Sequence, residues 1–482
     1  MEMLQNYING ELLPPASGAY LDNPEPATGK VYSSIPDSDQ RDLDAAIKAA
    51  QKALPQWRDM PLEERAQWLL KLADAVAEAS ETLARAEAID NGKPIAFART
   101  VDSYRAAANL RFFANACTQF SSESHSMGNE AINYTLRDPI GVVATISPWN
   151  LPLYLFTWKI APALAAGNTV IAKPSEITPM TAYLFAKLCQ EIEFPAGVIN
   201  ILHGRGPSIG QAIVEHPAIK AISFTGGTAT GKHLAATAAP MFKKLSLELG
   251  GKNPTLVFAD CDFETTLDNV VRAAFANQGQ ICLCGSRIYI ERPIYDRFKK
   301  AFVERVKAMQ LGDPLEESTQ LGALVSKAHM EKVLGYIDLA KQEGGNILCG
   351  GNRHQLSGRC ADGYFVEPTV IENLPLNCRT NQEEIFGPIC TLQPFDTDAE
   401  ALSFANGTEY GLATSVWSQN INRCHQLAKQ LDFGIVWINT WLMRDLRTPF
   451  GGMKASGVGR EGGLEALRFF TEPKNVCIKY SI

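Results

Sequence analysis

The chain has 482 residues, of which 46% are hydrophobic and 20% are charged, and its formal net charge is −7 at pH 7. This length can bury a large core and predicts roughly two to four domains, and the composition is ordinary for a soluble globular enzyme. Because acidic and basic residues are interspersed along the chain, nucleic acid and anionic membrane are not expected as partners.

Targeting segments and metal sites are also not expected. No apolar run approaches the length of a membrane span, and Met1–Gly10 has neither a basic flank nor a long apolar core, so we expect no membrane span and no signal peptide. The eleven cysteines lack regular spacing, which indicates reduced thiols and a cytoplasmic location. No His/Cys cluster has zinc spacing, so no metal is expected.

The N-terminal third predicts short strands followed by helices. Residues 1–36 favour strands and turns, and a helical pattern begins at Ser38, with Pro55 expected to stop it. Further helices are predicted from Pro61 to about Asn91 and from Val101 to about Phe120.

From Gly141 the chain alternates short apolar strands with helices. This alternation is typical of a parallel sheet with crossover helices and predicts an α/β fold. It continues from residue 287 to about residue 440. The strands predicted in its first part are Val142–Ile146, Thr169–Ala172, Val198–Leu202, Ala221–Phe224 and Thr255–Phe258.

Two further segments have strand character but no obvious neighbour. They are Ile132–Arg137 and Asn475–Tyr480, the second of which follows a helical pattern at Leu464–Phe470. Both strands need pairing partners, because an unpaired edge exposes its backbone groups.

The segment Phe275–Arg287 contains the most informative cysteine. Cys282 is predicted on a turn between a helix-like stretch, Asp262–Ala276, and a β-branched run, Arg287–Glu291. Backbone N–H groups on such a turn can face a substrate, and a Cys thiolate attacks carbonyl carbons readily. For an isolated cysteine, the alternative interpretation is a buried, unreactive thiol.

Seven short motifs give this cysteine its context. The motifs are Ser147–Asn150 (SPWN), Lys173–Glu176 (KPSE), Phe224–Thr228 (FTGGT), Glu248–Lys252 (ELGGK), Asn277–Cys282 (NQGQIC), Glu384–Pro388 (EIFGP) and Pro449–Lys454 (PFGGMK). In their order and spacing they resemble the NAD(P)-dependent aldehyde dehydrogenase superfamily over essentially the full chain.

The resemblance implies an aldehyde dehydrogenase-like fold and an oligomer. It assigns residues 1–120 and 140–249 to a Rossmann-type NAD-binding domain, residues 250–450 to an α/β catalytic domain, and residues 121–139 and 467–482 to a small β oligomerisation element. In the family such strands pair across subunits, which implies a homodimer or homotetramer.

A dinucleotide site is predicted after the apolar strands. Gly226–Gly231 is looser than the GxGxxG fingerprint, but it lies between a strand and a helical stretch, where backbone N–H groups can hold a pyrophosphate. Glu176 could accept both hydroxyls of a ribose and repel a 2′-phosphate, which favours NAD over NADP. A Gly-containing turn and a surface Lys173–Glu176 pair are the alternatives. The resemblance implies cofactor contacts from Ile146, Ser147, Pro148, Trp149, Lys173, Ser175, Glu176, Gly206, Phe224, Thr225, Gly226, Gly227, Leu249, Gly250, Glu384 and Phe386.

The resemblance also assigns three catalytic roles. Cys282 is the nucleophile, the Asn150 amide and the Cys282 N–H stabilise the oxyanion, and Glu248 is the general base for thioester hydrolysis. Taken alone, Asn150 could be a turn residue, and Glu248 a buried partner of Lys252. A cofactor-free thiol hydrolase and a non-catalytic descendant of the fold are the rival functions.

Arginines indicate the substrate class. Arg111 and Arg444 could each bind a carboxylate through two parallel hydrogen bonds, although Arg444 could instead pair with a surface acid such as Asp445. The stretch Trp441–Thr448 resembles the muconic semialdehyde dehydrogenase subgroup. That resemblance implies a small carboxylated aldehyde, 2-aminomuconate or 2-hydroxymuconate 6-semialdehyde, with betaine aldehyde and succinic semialdehyde as rival substrates. The implied substrate contacts are Arg111, Arg444, Asn150, Tyr154 and Trp158.

Overall fold

The computed structural model describes residues 2–480. Among these residues, no helix combines the length and the apolar character that crossing a membrane requires. The strands, in chain order, are β1 (Glu2–Met3), β2 (Asn6–Ile8), β3 (Glu11–Leu13), β4 (Tyr20–Glu25), β5 (Lys30–Pro36), β6 (Ser124–Ser126), β7 (Ala131–Pro139), β8 (Val142–Ile146), β9 (Thr169–Lys173), β10 (Ile199–Ile201), β11 (Ala221–Thr225), β12 (Lys244–Glu248), β13 (Asn253–Val257), β14 (Gly285–Glu291), β15 (Asn346–Cys349), β16 (Arg353–His354), β17 (Phe365–Val366), β18 (Thr369–Glu372), β19 (Ile389–Phe395), β20 (Tyr410–Gly411), β21 (Ala413–Trp417), β22 (Ile435–Ile438), β23 (Met453–Lys454), β24 (Gly457–Val458) and β25 (Thr471–Lys479).

The α-helices pack on both faces of the main sheets. They are α1 (Gln40–Asp59), α2 (Leu62–Glu78), α3 (Ser80–Asn91), α4 (Ile95–Phe97), α5 (Tyr104–Cys117), α6 (Pro152–Ala165), α7 (Met180–Glu191), α8 (Gln211–Glu215), α9 (Thr228–Ala238), α10 (Phe263–Phe275), α11 (Arg292–Lys307), α12 (Lys327–Gln342), α13 (Arg379–Gln382), α14 (Asp398–Asn406), α15 (Ile421–Gln430) and α16 (Gly463–Phe469). Two π-helical turns, Ala98–Ser103 and Gly206–Gly210, and short 3-10 turns complete the helical segments.

An eight-stranded sheet forms the first layer, in the order β24-β12-β11-β8-β9-β10-β2-β3. Its five central strands, β8 to β12, are mutually parallel. At the edges, β2 is antiparallel to β10, β3 is antiparallel to β2, and β24 is antiparallel to β12. The parallel strands are short and almost wholly buried, because helices cover both faces. In this sheet β9 and β10 are added in turn on one side of β8, and β11 and β12 are added in turn on its other side. This strand order is the Rossmann arrangement.

A seven-stranded sheet forms the second layer, in the order β15-β18-β19-β14-β13-β21-β22. Only β15 is antiparallel to its neighbour. The predicted domain boundary at residues 249/250 falls between β12, in the first sheet, and β13, in the second. The later strand β24, which lies beyond the predicted catalytic domain, returns to the first sheet. The assignment of the two parts as NAD-binding and catalytic domains remains a prediction.

The two strand-like segments without obvious neighbours pair with each other. β25 runs antiparallel to β7 from Thr471↔Pro139 to Lys479↔Ala131, and β6 extends the sheet on the other side of β7. Each strand therefore satisfies its partner's backbone groups within one chain, and neither requires a second subunit for pairing. An exposed β-sheet remains, whose role in oligomerisation is still a prediction.

Two local predictions were wrong or incomplete. Pro55 does not stop α1, which continues to Asp59, because Trp57 in its last turn is buried and donates its indole N–H to the Leu164 carbonyl at 3.2 Å. Tertiary packing outweighs the cost of a proline near the end of a helix. Strand β12 was also not predicted, although Lys244–Glu248 alternates polar and apolar residues.

Candidate active site

The carboxyl ends of the five parallel strands bring the predicted motifs to one edge of the first sheet. Each motif begins in the last residues of a strand and continues into the loop after it: Ile146–Asn150 at β8, Lys173–Glu176 at β9, Phe224–Gly227 at β11 and Glu248–Gly250 at β12. Parallel pairing places all these ends on the same side, where open α/β sheets bind ligands. The strand order thus assembles residues that are about 100 positions apart in sequence.

Cys282 lies on a turn that a strained backbone segment supports. Asn277, Gln278 and Gly279 all have positive φ, at 52°, 55° and 71°. A Cβ at position 279 would lie 2.0 Å from the Gly387 carbonyl oxygen, so only glycine fits there. Consecutive left-handed residues are costly and are typically retained where a functional group must be placed.

Two cavities meet at Cys282. The first has a volume of about 230 Å³ and reaches Glu248, Tyr154 and Arg444. The second has a volume of about 250 Å³ and reaches Asn150, together with other residues of the predicted cofactor motifs. Cys282 and Thr225 line both cavities. The thiol therefore faces two separate binding spaces, as a reaction between two bound molecules requires.

Asn150 is fixed on both its side chain and its main chain. Its Nδ2 donates to the Gln280 carbonyl at 2.9 Å, two residues before Cys282. Its own carbonyl oxygen accepts hydrogen bonds from Lys93 Nζ and Asn277 Nδ2, each at 3.0 Å. An amide beside the nucleophile can donate its second N–H to a developing oxyanion.

Glu248 is buried without a direct partner. Neither of its carboxylate oxygens accepts a hydrogen bond from any group in residues 2–480. Burial raises the pKa of Glu248 well above its usual range, and the nearby Glu461 raises it further, against the opposing effects of Lys159, Arg460 and Arg444. A carboxylate with a raised pKa is suited to general base catalysis near neutral pH. Lys252 does not donate a hydrogen bond to Glu248, so the alternative interpretation of Glu248 as a buried partner of Lys252 is wrong.

The thiol of Cys282 is neutral at rest. Burial raises its pKa above the ordinary value, and the negative charges of Glu384 and then Glu248 raise it further, whereas Arg444 opposes them. Because the thiolate is the nucleophile, a proton must leave Cys282 before it attacks. Glu248, in the same cavity, is the carboxylate available to accept that proton.

The second cavity suits the nicotinamide end of a dinucleotide. Glu384 is held there by the Gly251 N–H, which donates to its Oε1 at 2.8 Å. Trp149 and Phe386 form an aromatic wall with their ring centroids 5.2 Å apart. The buried hydroxyl of Thr225 has no partner in residues 2–480 and faces this space. A ribose and a carboxamide would supply the groups that these polar atoms lack.

The other predicted cofactor residues form a separate group along the same sheet edge. Lys173 Nζ lies 3.1 Å from Glu176 Oε2, and the Gly206 N–H donates to Glu176 Oε1 at 3.1 Å. Although burial pushes the pKa of Glu176 up, Lys173 and backbone N–H groups lower it overall, so this carboxylate is ionised. Ser175 accepts a hydrogen bond from the Ile177 N–H and stabilises the turn. An ionised, half-buried carboxylate fits a ribose diol and disfavours a phosphate at that position.

Aromatic side chains position Arg444 in the first cavity. Its guanidinium lies 4.0 Å from the ring centroid of Phe450 and 5.0 Å from that of Trp158, and it donates to the Tyr154 hydroxyl. It forms no salt bridge within residues 2–480, so the pairing with Asp445 does not occur; Asp445 binds Arg447 instead. A guanidinium held by aromatic rings, without an anionic partner, is well suited to bind a carboxylate.

Comparison with known proteins decides the family. The aldehyde dehydrogenase family model matches residues 14–476. The chain belongs to the aldehyde dehydrogenase family. It is therefore an oxidoreductase that acts on aldehydes.

Other aldehyde dehydrogenases resemble this one over nearly their full length. A 2-aminomuconic semialdehyde dehydrogenase of Bos taurus is 49% identical over 481 residues, which cover 99% of this chain and 98% of the bovine protein. A 2-hydroxymuconic semialdehyde dehydrogenase of Pseudomonas sp. (strain CF600) is 43% identical, over 99% of this chain and all of that protein. The structure of an aldehyde dehydrogenase from Bacillus cereus in its NAD+ complex superposes with a TM-score of 0.97 at 40% identity, over 100% of this chain and 97% of that chain.

Two predicted substrate contacts of this aldehyde dehydrogenase are wrong or indirect. Arg111 lies on the outer face of α5, where it is exposed and forms an ion pair with Asp74 at 2.6 Å, so it cannot contact a substrate in the cavity. The helix turns Arg111 away from α6 and presents its other face to the core. Trp158 does not line the cavity either. It lies buried behind Arg444 and supports that guanidinium.

The motifs of the dehydrogenase did not reveal several residues that line its cavities. Arg105 and Arg272 line the first cavity, and neither forms a salt bridge in the described part of the chain. Arg105 lies six positions before Arg111 in the same helix, α5, but on the face that lines the cavity. His329 and Lys332 line the second cavity from α12, a segment that no predicted motif includes.

Proposed function

We propose that this enzyme oxidises a muconic semialdehyde, 2-aminomuconate or 2-hydroxymuconate 6-semialdehyde, to the corresponding carboxylic acid with NAD. The observation that carries the proposal is the position of Cys282, between two cavities. One contains Arg444, which forms no salt bridge within residues 2–480, and the other is lined by the predicted cofactor motifs. Relatives that are 49% and 43% identical bear the names of 2-aminomuconic and 2-hydroxymuconic semialdehyde dehydrogenases.

The cofactor would bind along the carboxyl edge of the first sheet. Glu176 and Lys173 would hold the adenosine ribose, the backbone of Gly226 and Gly227 before α9 would hold the pyrophosphate, and Glu384 would hold the nicotinamide ribose. When bound there, NAD supplies the acceptor for the hydride that leaves the aldehyde carbon. Phe386 and Trp149 would shield that end of the cofactor from water.

The first half-reaction uses the groups around Cys282. Arg444 and Arg105 bind the substrate carboxylate and place its aldehyde at the thiol. Glu248 accepts the thiol proton, the sulfur adds to the carbonyl carbon, and the new oxyanion is stabilised by Asn150 Nδ2 and the Cys282 N–H. Loss of the hydride then leaves the acyl group on Cys282 as a thioester.

The second half-reaction regenerates the thiol. Glu248 first releases the thiol proton to solvent. As a carboxylate it then takes a proton from water, and the resulting hydroxide adds to the thioester carbonyl. The same two donors stabilise the second oxyanion, and as this intermediate collapses the Cys282 sulfur leaves, Glu248 returns the proton to the sulfur, and the acid is released. Lys159 and Glu461 form an ion pair that is buried beside Glu248. This pair stabilises Glu248 electrostatically as its carboxylate gains and loses a proton.

A panel of aldehydes tests the substrate and the cofactor together. Purified enzyme is given muconic semialdehyde, succinic semialdehyde or betaine aldehyde, each with NAD or with NADP, and reduced cofactor is followed by absorbance. We expect the highest kcat/KM for the muconic semialdehyde with NAD. A preference for betaine aldehyde, which carries a positive charge, would overturn the assignment of Arg444. Ester hydrolysis without cofactor as the only activity would favour the thiol hydrolase.

We also propose that the enzyme is a homodimer or homotetramer in the cytoplasm. The sheet of β6, β7 and β25 exposes Leu136 and Ile478, and Phe242 projects from the end of the first sheet with 95% of its surface exposed. Exposed apolar side chains of this size support burial against another copy. All eleven cysteines are free thiols, which supports a reducing compartment.

A further inference from the structure

A buried charged cluster lies behind the active site. Lys93 Nζ is 2.8 Å from Asp102 Oδ2 and 3.1 Å from Glu87 Oε1, and all three side chains are at most 1% exposed. The three residues come from different elements: Glu87 from α3, Lys93 from the loop after it, and Asp102 from the π-helical turn Ala98–Ser103. Burying three ionisable groups is costly, so the cluster calls for a role beyond stability.

The lysine of this cluster also contacts the main chain of Asn150. Lys93 Nζ donates its third hydrogen bond to the Asn150 carbonyl at 3.0 Å, and Asn277 donates to the same oxygen. These two donors fix the peptide plane that follows the Asn150 Cα. The direction of the Asn150 side-chain amide depends on that backbone, because the two share one Cα.

The cluster carries one positive group and two carboxyl groups. Burial raises the pKa of Asp102 well above its usual value, and although Lys93 lowers it, Glu87 raises it again. Asp102 Oδ1 and Glu87 Oε2 are buried and accept no hydrogen bond from any group in residues 2–480, so Lys93 contacts only one oxygen of each carboxyl group.

The same cluster reaches the wall of the substrate cavity. Asp102 lies in the π-helical turn, and Thr100 and Val101 of that turn line the first cavity. Such turns interrupt the regular α-helical bonding and are common at functional sites. Lys93 Nζ thus donates both to Asp102, in the turn that forms part of the cavity wall, and to the main chain of Asn150, whose side chain is the oxyanion donor.

We propose that Lys93 is a positioning residue for the Asn150 amide, an inference that rests on the proposed function. Lys93, held by Glu87 and Asp102, keeps the Asn150 peptide oriented so that Nδ2 faces the oxyanion in both half-reactions. Without this hydrogen bond the amide is displaced, and carbonyl addition slows while the cavities themselves remain. The defect therefore appears in kcat and not in KM.

The test compares two reactions of the same thiol in Lys93→Met. Addition to an aldehyde needs the oxyanion donor, whereas alkylation of Cys282 by iodoacetamide does not. We expect the single-turnover rate of hydride transfer to fall roughly 10- to 100-fold, within the range for loss of an oxyanion donor. The alkylation rate and the KM values for NAD and aldehyde should stay within about threefold.

Matched variants separate positioning from folding. Lys243→Met removes another buried lysine that donates to main-chain carbonyls, those of Val214 and His216, at the other end of β12, and it should leave single-turnover hydride transfer unchanged. Should Lys93→Met not fold, Asn277→Asp removes the other donor to the Asn150 carbonyl at constant size. It should likewise slow hydride transfer while leaving the alkylation rate of Cys282 within about threefold.

Each result bears on the proposal. Equal losses in hydride transfer and alkylation would show a collapsed site and overturn the positioning role, as would an unchanged hydride-transfer rate in Lys93→Met. Failure of the wild-type enzyme to oxidise any aldehyde would instead refute the proposed function.

Discussion

Lys159 Nζ lies 2.6 Å from Glu461 Oε1 in a buried ion pair close to Glu248, whose carboxylate accepts no hydrogen bond within residues 2–480. Ser223 joins it through its hydroxyl, which donates to the same Glu461 oxygen at 3.0 Å. The pair places a positive and a negative charge near the general base. The negative one contributes to the raised pKa of Glu248.

Glu461→Gln should change the pH dependence of the enzyme. The raised pKa of Glu248 means that activity is present above that pKa and is lost as pH falls through it. Removing the negative charge of Glu461, and leaving Lys159 unpaired, lowers the pKa of Glu248. The acidic limb of kcat/KM should therefore move to lower pH. Glu465→Gln, an exposed carboxylate nearby in the chain, serves as the control and should leave the limb in place.

Arg444→Ala should reduce kcat/KM for the muconic semialdehyde by about 1.5–3 kcal/mol, or roughly 10- to 150-fold, the range for a hydrogen-bonded charged group. An aldehyde without a carboxylate should lose much less, because the missing interaction is with that group. Arg111→Ala is the matched control. Since Arg111 binds Asp74 on the surface, its removal should not change steady-state kinetics. A large effect of Arg111→Ala would restore the sequence-based assignment of Arg111, and no effect of Arg444→Ala would contradict the assignment of Arg444.

Glu176→Gln should weaken the discrimination between NAD and NADP. The wild-type carboxylate is ionised and faces the predicted ribose site, so it repels a 2′-phosphate. We expect the ratio of kcat/KM for NAD to that for NADP to fall by roughly tenfold, about 1.4 kcal/mol. The ratio is measured on one preparation, so the folded fraction cancels. A constant ratio would mean that Glu176 does not discriminate between NAD and NADP.

Leu136→Asp should dissociate the proposed oligomer. The side chain is exposed on β7, opposite Lys474 of β25, and an aspartate there would carry a charge into any interface that this sheet forms. Light scattering should show a smaller assembly than the wild type. Asn475→Asp, on the exposed face of β25, adds the same charge at a polar position and serves as the control. A monomeric wild type would contradict the proposal at once.

The sequence predicted the turn around Cys282 closely, because its neighbours follow local rules. Asp262 caps α10 by accepting the Thr265 N–H, the helix ends at Phe275, and the β-branched run that begins at Arg287 lies in β14. Capping and strand preference depend on nearby residues, so they can be read from the sequence.

Features set by distant residues could not be read in this way. The choice between Arg105 and Arg111 depends on which face of α5 meets α6, and both arginines stand in the same helix. The pairing of β7 with β25 joins residues that are more than 300 positions apart. The hydrogen bond from Lys93 to Asn150 likewise depends on the tertiary fold, and no local pattern indicates it.

The central claim is that Cys282 carries the acyl group and that Glu248 is the base that removes it. The most direct measurement is mass spectrometry of Glu248→Gln, quenched after mixing with NAD and muconic semialdehyde. Because a thiol is far more acidic than water, loss of the base slows hydrolysis more than addition. The account predicts about one NADH per active site and an acyl group on the peptide that contains Cys282. An acyl group on another residue, such as Cys284, or no acyl-enzyme despite NADH formation, would contradict it.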